Sequence, residues 1–346
     1  MDRELLTKEA YLKKLSRRSS NTARGHNTSI NIFENWHKTT DLIIADEPLK
    51  ILGSFVDFLE SQGKSARTIN TYLNQLKKYF RLCYGIKLDA EDFKDFVGLP
   101  QILDEELEPL EKHELRLILE STVKPRRKAL YWFISSTGCR ISEALQVKKN
   151  NIDFTQNPPL VTLPIEITKG KRRTRYVYLT RENTSLIRQI CTKIQDDDYI
   201  FTKAKNIISA STYEHDSFNR LLRNIGLDEK YDHNGRHKKN FHSIRAFTSS
   251  QIYDKTRDTE YAHAYIGHDT YLKQYLRKTP EKRAELFREV ESVLMVFDQI
   301  ETTQESDELK EIKGKMEKYE MLDKLIANIE QPKLEQLLQN LSHNNN

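Results

Sequence analysis

Apolar residues recur at helical spacing along almost the whole chain, and the clearest departure is a pair of segments that flank a basic turn. One stripe runs Leu49, Leu52, Phe55, Val56 and Leu59, and the next runs Ile69, Tyr72, Leu73, Leu76, Tyr79, Phe80 and Cys83. Steps of three and four residues put each set on one face of a helix. Pro48 suits the first turn of the former helix and Gly63 stops it, while Ser65 can cap the latter and Gly85 closes it. Residues 160–167 and 175–179 instead alternate or run apolar around TKGKRRT, the pattern of a β-hairpin with a basic tip. The expected fold is therefore mainly α with one small β-sheet or hairpin.

Taken in order, these patterns divide the chain. Residues 1–45 read as a basic N-terminal arm, with a short amphipathic segment (Leu5, Leu6, Leu12, Leu15) followed by a polar, flexible stretch, SSNTARGHNTS. Residues 46–98 form a helical domain closed by a short helix over 89–97, and 99–109, rich in acids and proline, form a linker. Residues 110–300 make a second domain. Its helices are expected over 110–120, 126–136, 181–194, 213–225, from 242, over 257–265 and 280–297, with a short strand at 199–201. The tail, 301–346, carries a stripe of Leu309, Ile312, Met316, Tyr319, Leu322, Ile326 and Ile329 that drifts from a heptad, so it reads as a helical tail and a possible oligomer contact.

Charge and cysteine usage narrow the class. Of the residues, 31% are charged and the net charge is only +5. The tail from Glu301 on holds ten acidic and six basic residues, so the rest carries about +9. Cys83, Cys139 and Cys191 are scattered without a CxxC pair, which argues for a reducing compartment and no disulfide framework. No apolar run approaches the roughly 20 residues of a membrane span, and no signal-peptide core is present. A soluble intracellular protein with no membrane partner is expected.

Several polar positions carry candidate chemistry. Gly138 permits a sharp turn before Arg140, and Arg140 and Glu143 lie one helical turn apart, as a surface ion pair or as part of a site. Lys169 sits beside Gly170 on the hairpin tip, where Lys171, Arg172, Arg173 and Arg175 compete with it for any phosphate contact. His242 and Arg245 are one turn apart, Gly267 precedes His268, and Tyr271 and Tyr275 share a helix face. Across 228–240, His233, His237 and His242 invite a metal reading. Asn234-Gly235 breaks any helix between them and no cysteine or carboxylate cluster completes a set, so Arg236, Lys238 and Lys239 read as a basic loop near phosphate. Lys64, Arg67, Lys77, Lys78 and Arg81 lie off the apolar face of their helix and form either a solvated face or a DNA-facing rim.

The ordered set TGCRISE, hairpin lysine, HSIR, Gly-His and a following tyrosine resembles the tyrosine recombinases, or phage integrase family, over about residues 110–296. The helical domain before it is similar in pattern to the family's core-binding domain. The resemblance implies that Arg140, Lys169, His242, Arg245 and His268 are catalytic, that Glu143 supports them, and that Tyr275 is the nucleophile with Tyr271 in reserve. Ile244 and Ala246 depart mildly from the family pattern, and the short gap from His268 to Tyr275 resembles integrases of some archaeal mobile elements. The implied function is a site-specific recombinase or integrase that cuts and rejoins DNA through a 3′-phosphotyrosine, with no metal, ATP or other cofactor. The implied partners are double-stranded DNA with specific sites and further copies of the chain, a dimer on a site and a tetramer in synapsis, in the cytoplasm on the nucleoid of a prokaryotic or archaeal host. A dimer-resolving recombinase, a type IB topoisomerase and a non-catalytic DNA-binding protein on the same fold are the alternatives.

Overall fold

Five helices open the chain: α1 (Lys8–Ser16), α2 (Ser20–His37), α3 (Pro48–Ser61), α4 (Ala66–Tyr79) and α5 (Ala90–Val97). The computed structural model describes residues 4–103, 108–168, 173–232, 235–268 and 279–297. The chain divides into two compact units, Met1–Val296 and Phe297–Asn346. The tail stripe expected over 301–346 lies outside the described residues, as do the hairpin tip at 169–172 and the tyrosine segment at 271–275.

Helices α1 to α5 share one core, built from Tyr11, Leu15, Ile30, Phe33, the expected faces of α3 and α4, and Phe93 and Val97. This corrects the reading of residues 1–45 as an arm with a flexible polar stretch. Residues 20–37 form α2, capped by the Ser19 hydroxyl, which accepts from the Thr22 amide at 3.3 Å. The buried stripe of α2 is His26, Ser29, Ile30 and Phe33, so half of it is polar by composition. His26 is accommodated because its Nδ1 shares a 2.8 Å hydrogen bond with the Tyr11 hydroxyl of α1. Lys8 pairs with Glu34, and Glu34 also accepts from the Tyr79 hydroxyl at 3.1 Å, which joins α1, α2 and α4.

The second part holds α6 (Lys112–Ser121), α7 (Pro125–Thr137), the single turn α8 (Ile141–Ala144), strands β1 (Ile152–Asp153), β2 (Leu160–Leu163) and β3 (Arg175–Tyr178), and then α9 (Arg181–Cys191), α10 (Ile207–Asn224), α11 (Phe241–Thr256), α12 (Thr259–Ile266) and α13 (Pro280–Leu294). The three strands form an antiparallel sheet in sequence order, with Val161 opposite Val177 and Leu163 opposite Arg175. The hairpin is thus present, β1 is an addition, and the strand expected at 199–201 is only an isolated bridge from Tyr199 to Lys148. Helix α10 starts six residues earlier than its apolar pattern indicates, because the Asn206 side chain caps it by accepting from the Ile208 and Ser209 amides.

Helix α7 is the centre of this part. From Ala129 to Thr137 all but Trp132 are buried, the polar Ser135, Ser136 and Thr137 included. Its last turn has carbonyls with no helical partner, and side chains from other helices meet them. Thr248 of α11 donates to the Ser135 carbonyl at 2.8 Å, and Tyr265 of α12 donates to the Ser136 carbonyl at 2.9 Å. Asn183 of α9 donates to the Ser136 hydroxyl at 2.8 Å. Three helices are thereby pinned to the C-terminal end of α7, where the candidate site begins. Among the described residues, no helix is long and apolar enough to cross a membrane.

Candidate active site

The site is assembled on the turn between α7 and α8. Gly138 ends α7 with φ of 59°, and a Cβ there would sit 2.5 Å from Ile266 Cγ2. Only glycine lets α12 pack this close to the turn. The chain then reverses at Arg140, whose amide donates to Glu143 Oε2 at 3.0 Å and whose guanidinium donates to Glu143 Oε1 at 3.1 Å. The two readings left open for this pair are therefore decided against a surface ion pair, since Glu143 is 1% exposed.

A second guanidinium reaches the same carboxylate from the sheet. Arg175 Nη2 lies 3.3 Å from Glu143 Oε2 and 3.1 Å from Cys139 Sγ, and its Nη1 donates to the Ile266 carbonyl at 2.8 Å. Arg175 is buried, which removes it from the residues that could compete with Lys169 on the hairpin tip. Sequence spacing gave no sign of this role, because an arginine on an alternating strand next to a basic tip reads as a surface cation.

A third guanidinium comes from α11. Asn240 caps that helix through the His242 amide at 2.7 Å, which fixes His242 in the exposed first turn and Arg245 one turn deeper, 4% exposed. Arg245 Nη1 donates to the Gly138 carbonyl, while Nη2 is buried with no hydrogen-bond partner. Burial, and then the charges of Arg140 and Arg175, pull the pKa of Arg245 down from the ordinary arginine range to about 9. Three guanidiniums therefore crowd around one carboxylate, and the charge left over is positive. A buried cation needs a counter-ion or an acceptor, and an oxyanion with several oxygens would supply both.

His268 lies two residues beyond the end of α12 and is exposed. Its amide donates to the His263 carbonyl at 2.9 Å, its ring meets that of His263 at 5.5 Å, and its carbonyl accepts from Arg173 at 3.4 Å. The structure thus brings Arg140, Glu143 and Arg245 into one cluster and puts Gly267, the neighbour of His268, against Arg175. Lys169, Lys171, Arg172, Tyr271 and Tyr275 lie outside the described residues.

The expected DNA-facing cations differ in their surroundings. Lys64 just before α4, Arg67 on it and Arg81 on its continuation are exposed, as are Arg173 and Arg236 on the second part. Lys77 lies 4.5 Å over the Phe93 ring and donates to the Asp89 carbonyl at 3.3 Å, while Lys78 is half-buried, close enough to His26 to help keep it neutral after burial has done so. Lys238 pairs with Glu229 at 3.1 Å and Lys239 pairs with the buried Glu114. Lys238 thus closes the 228–240 loop on itself and Lys239 ties it to α6, so a phosphate would have to compete with carboxylates already in place.

The chain is thus a helical bundle followed by a sheet-containing part with an arginine cluster around Glu143, and comparison assigns it to a family. The phage integrase family profile matches residues 107–281, just over half of the 346-residue chain, and the profile of the phage integrase N-terminal SAM-like domain matches residues 9–84. The chain belongs to the phage integrase family, the tyrosine recombinases. A protein of Caldanaerobacter subterraneus subsp. tengcongensis assigned as a tyrosine recombinase is 22% identical over 168 residues, 47% of this chain and 56% of that protein. The match thus spans about half the length of this curated relative. Among solved structures, the Tn1549 transposon integrase in complex with transposon right end DNA aligns at a TM-score of 0.57 and 17% identity, over 81% of this chain and 98% of that one. The XerH site-specific recombinase bound to palindromic difH substrate gives 0.56 and 19%, over 81% and 80%. A lambda integrase dimer bound to a COC′ core site gives 0.56 and 14%, over 79% and 97%. At these identities the likeness is one of fold. The SAM-like match from residue 9 agrees with the helices found where an arm was expected.

Proposed function

We propose that the protein is a site-specific DNA recombinase that cuts and rejoins DNA strands through a 3′-phosphotyrosine. The observation that carries this reading is the excess of buried guanidinium groups around Glu143, with the Arg245 Nη2 donor unpaired. A phosphodiester attacked in line gathers negative charge on its non-bridging oxygens. Arginine forks bind such oxygens through paired hydrogen bonds and stay charged at neutral pH.

In this reading Arg140 and Arg245 grip the scissile phosphate, Glu143 orients Arg140, and His242 and His268 add hydrogen bonds from the exposed rim. Tyr275, with Tyr271 as the reserve, loses its phenolic proton to solvent, the surrounding cations favouring the phenolate, and attacks phosphorus. The phosphorus–oxygen bond to the next nucleotide breaks, and the leaving 5′ oxygen takes a proton from Lys169, assisted by His242. The ester conserves the bond energy, so rejoining to a partner strand consumes no ATP. Lys64, Arg67, Lys77, Lys78 and Arg81 on and beside α4, with Lys171, Arg172, Arg173, Arg236, Lys238 and Lys239, hold the flanking backbone. The working particle is a dimer on a site and a tetramer when two sites pair, and the tail supplies contacts between copies. The relatives solved on DNA, including a lambda integrase tetramer bound to a Holliday junction, support these partners. Residues 46–98 with the helices before them, and 110–300, act as the core-binding and catalytic domains. The site of action is the cytoplasm, on the nucleoid.

The test is recombination in EDTA between two copies of the DNA that flanks this chain's own gene, carried on a plasmid. Recombinant product from the natural chain, reduced at least 100-fold in Arg140→Ala and in Arg245→Ala, is the expected result. Specific binding with no recombinant, or product unaffected by both substitutions, would count against it.

A further inference from the structure

We infer that Arg175 is a positioning residue that holds Arg140 and His268 in one register at the phosphate site; this rests on the active-site reading above. Arg175 is the first residue of β3, and strand alternation sends it to the same side as the buried Val177, a side that would ordinarily take an apolar residue. Burying a guanidinium is costly unless its donors are met. Here three separate segments meet its two terminal nitrogens, the Glu143 carboxylate at 3.3 Å, the Cys139 sulfur at 3.1 Å and the Ile266 carbonyl at 2.8 Å, while Nε is buried with no hydrogen-bond partner.

Two of those partners lead directly to groups assigned to the phosphate. Glu143 Oε2 takes Arg175 and the Arg140 amide together, while Oε1 takes the Arg140 guanidinium. Without Arg175 that carboxylate would lose its restraint from the sheet side, and Arg140, bound to both its oxygens, would turn with it. The Ile266 carbonyl ends α12 two residues before His268. Between them Gly267 has φ of 78°, and a Cβ at this position would strike the Arg175 guanidinium. The glycine before the histidine thus makes room for this arginine, and the last turn of α12 is set against it. A lysine could satisfy one acceptor from its single ammonium, but it cannot span three segments as a planar fork does.

A simple brace of the fold would predict only instability, so the test must report on the phosphate. The full-length chain is mixed with a nicked duplex of the DNA that flanks its gene, and single-turnover formation of the covalent protein–DNA adduct is timed. The scissile linkage is either the natural phosphodiester or a methylphosphonate, which lacks the negative charge that Arg140 would grip. Arg175→Met is expected to slow the reaction about 100-fold on phosphodiester and less than about fivefold on methylphosphonate, with Arg175→Lys in between. In a parallel cycle on phosphodiester, adding Arg175→Met to Arg140→Ala should cost little more than Arg140→Ala alone. Melting curves accompany each variant, and should Arg175→Met not fold, Arg175→Lys carries the same comparisons. Equal losses on both linkages together with additive losses in the cycle, or no loss at all, would overturn the inference. If Arg140→Ala itself left adduct formation unchanged, the active-site reading would fail first and this inference with it. An impaired Arg140→Ala beside an active Arg175→Met would sink this inference alone.

Discussion

At the scale of single residues, the energetics of the site turn on Arg245. Its guanidinium is buried beside Arg140 and Arg175 and, among the described residues, shares one carboxylate with them. Such crowding costs stability in the unliganded protein and is relieved when an anion arrives. Arg245→Met should therefore leave the melting temperature unchanged or raise it, while adduct formation collapses. On the proposed reading the charged form of Arg245 binds phosphate, and with a pKa lowered to about 9 that form predominates at pH 7 and is about half populated at pH 9. A bound phosphodiester raises that pKa, so DNA binding at pH 9 should take up about half a proton that binding at pH 7 does not. Titration calorimetry in buffers of different ionisation heat measures this directly. Uptake that is the same at both pH values, or that survives in Arg245→Met, would contradict the account.

At the scale of elements, what could be read in advance followed the chemistry of each stripe. Helices α3, α4 and α7, the β2–β3 hairpin and the turn at Gly138 were legible, because apolar spacing, Pro48, Ser65 and glycine each specify local backbone directly. Helix α2 was not, because His26 and Ser29 occupy half of its buried stripe and are paired by residues distant in sequence or by the helix's own backbone. Arg175 failed for a related reason: its partners Glu143 and Ile266 are 32 and 91 residues away, and no periodicity records them. The buried His26 also has a consequence. Burial, followed by the nearby Lys78, lowers its pKa below the ordinary 6.5, so the unfolded chain takes up a proton that the folded chain refuses. That contribution to stability is intact above pH 6.5 and declines as the pH falls below it. His26→Gln, which keeps a polar partner for Tyr11, should lose less stability between pH 7 and pH 5 than the natural chain does, as read from urea midpoints. Identical losses would show that His26 titrates in the folded bundle as it does in water.

At the scale of the whole molecule, the chain has the two matched regions of its family, the SAM-like region over 9–84 and the integrase region over 107–281, with residues 297–346 forming a second compact unit. Division of labour follows from the chemistry available to each. Among the described residues the α1–α5 bundle offers exposed cations on and beside α4 but no cluster of buried ones, which on the proposed reading suits it to holding DNA, whereas the α7–α8 turn gathers the guanidiniums that the reading assigns to an attacked phosphate. The central claim is that this gathering serves attack by a tyrosine just beyond His268. The measurement that tests it most directly is to incubate the purified chain, in EDTA, with a nicked duplex of the DNA that flanks its gene and to look for a covalent protein–DNA adduct, with Tyr275→Phe and Tyr271→Phe alongside. The account predicts an adduct that persists in EDTA and is lost in Tyr275→Phe. Loss only in Tyr271→Phe would move the nucleophile by one turn and leave the chemistry standing. Specific binding without any adduct, or an adduct that survives both substitutions, would contradict it.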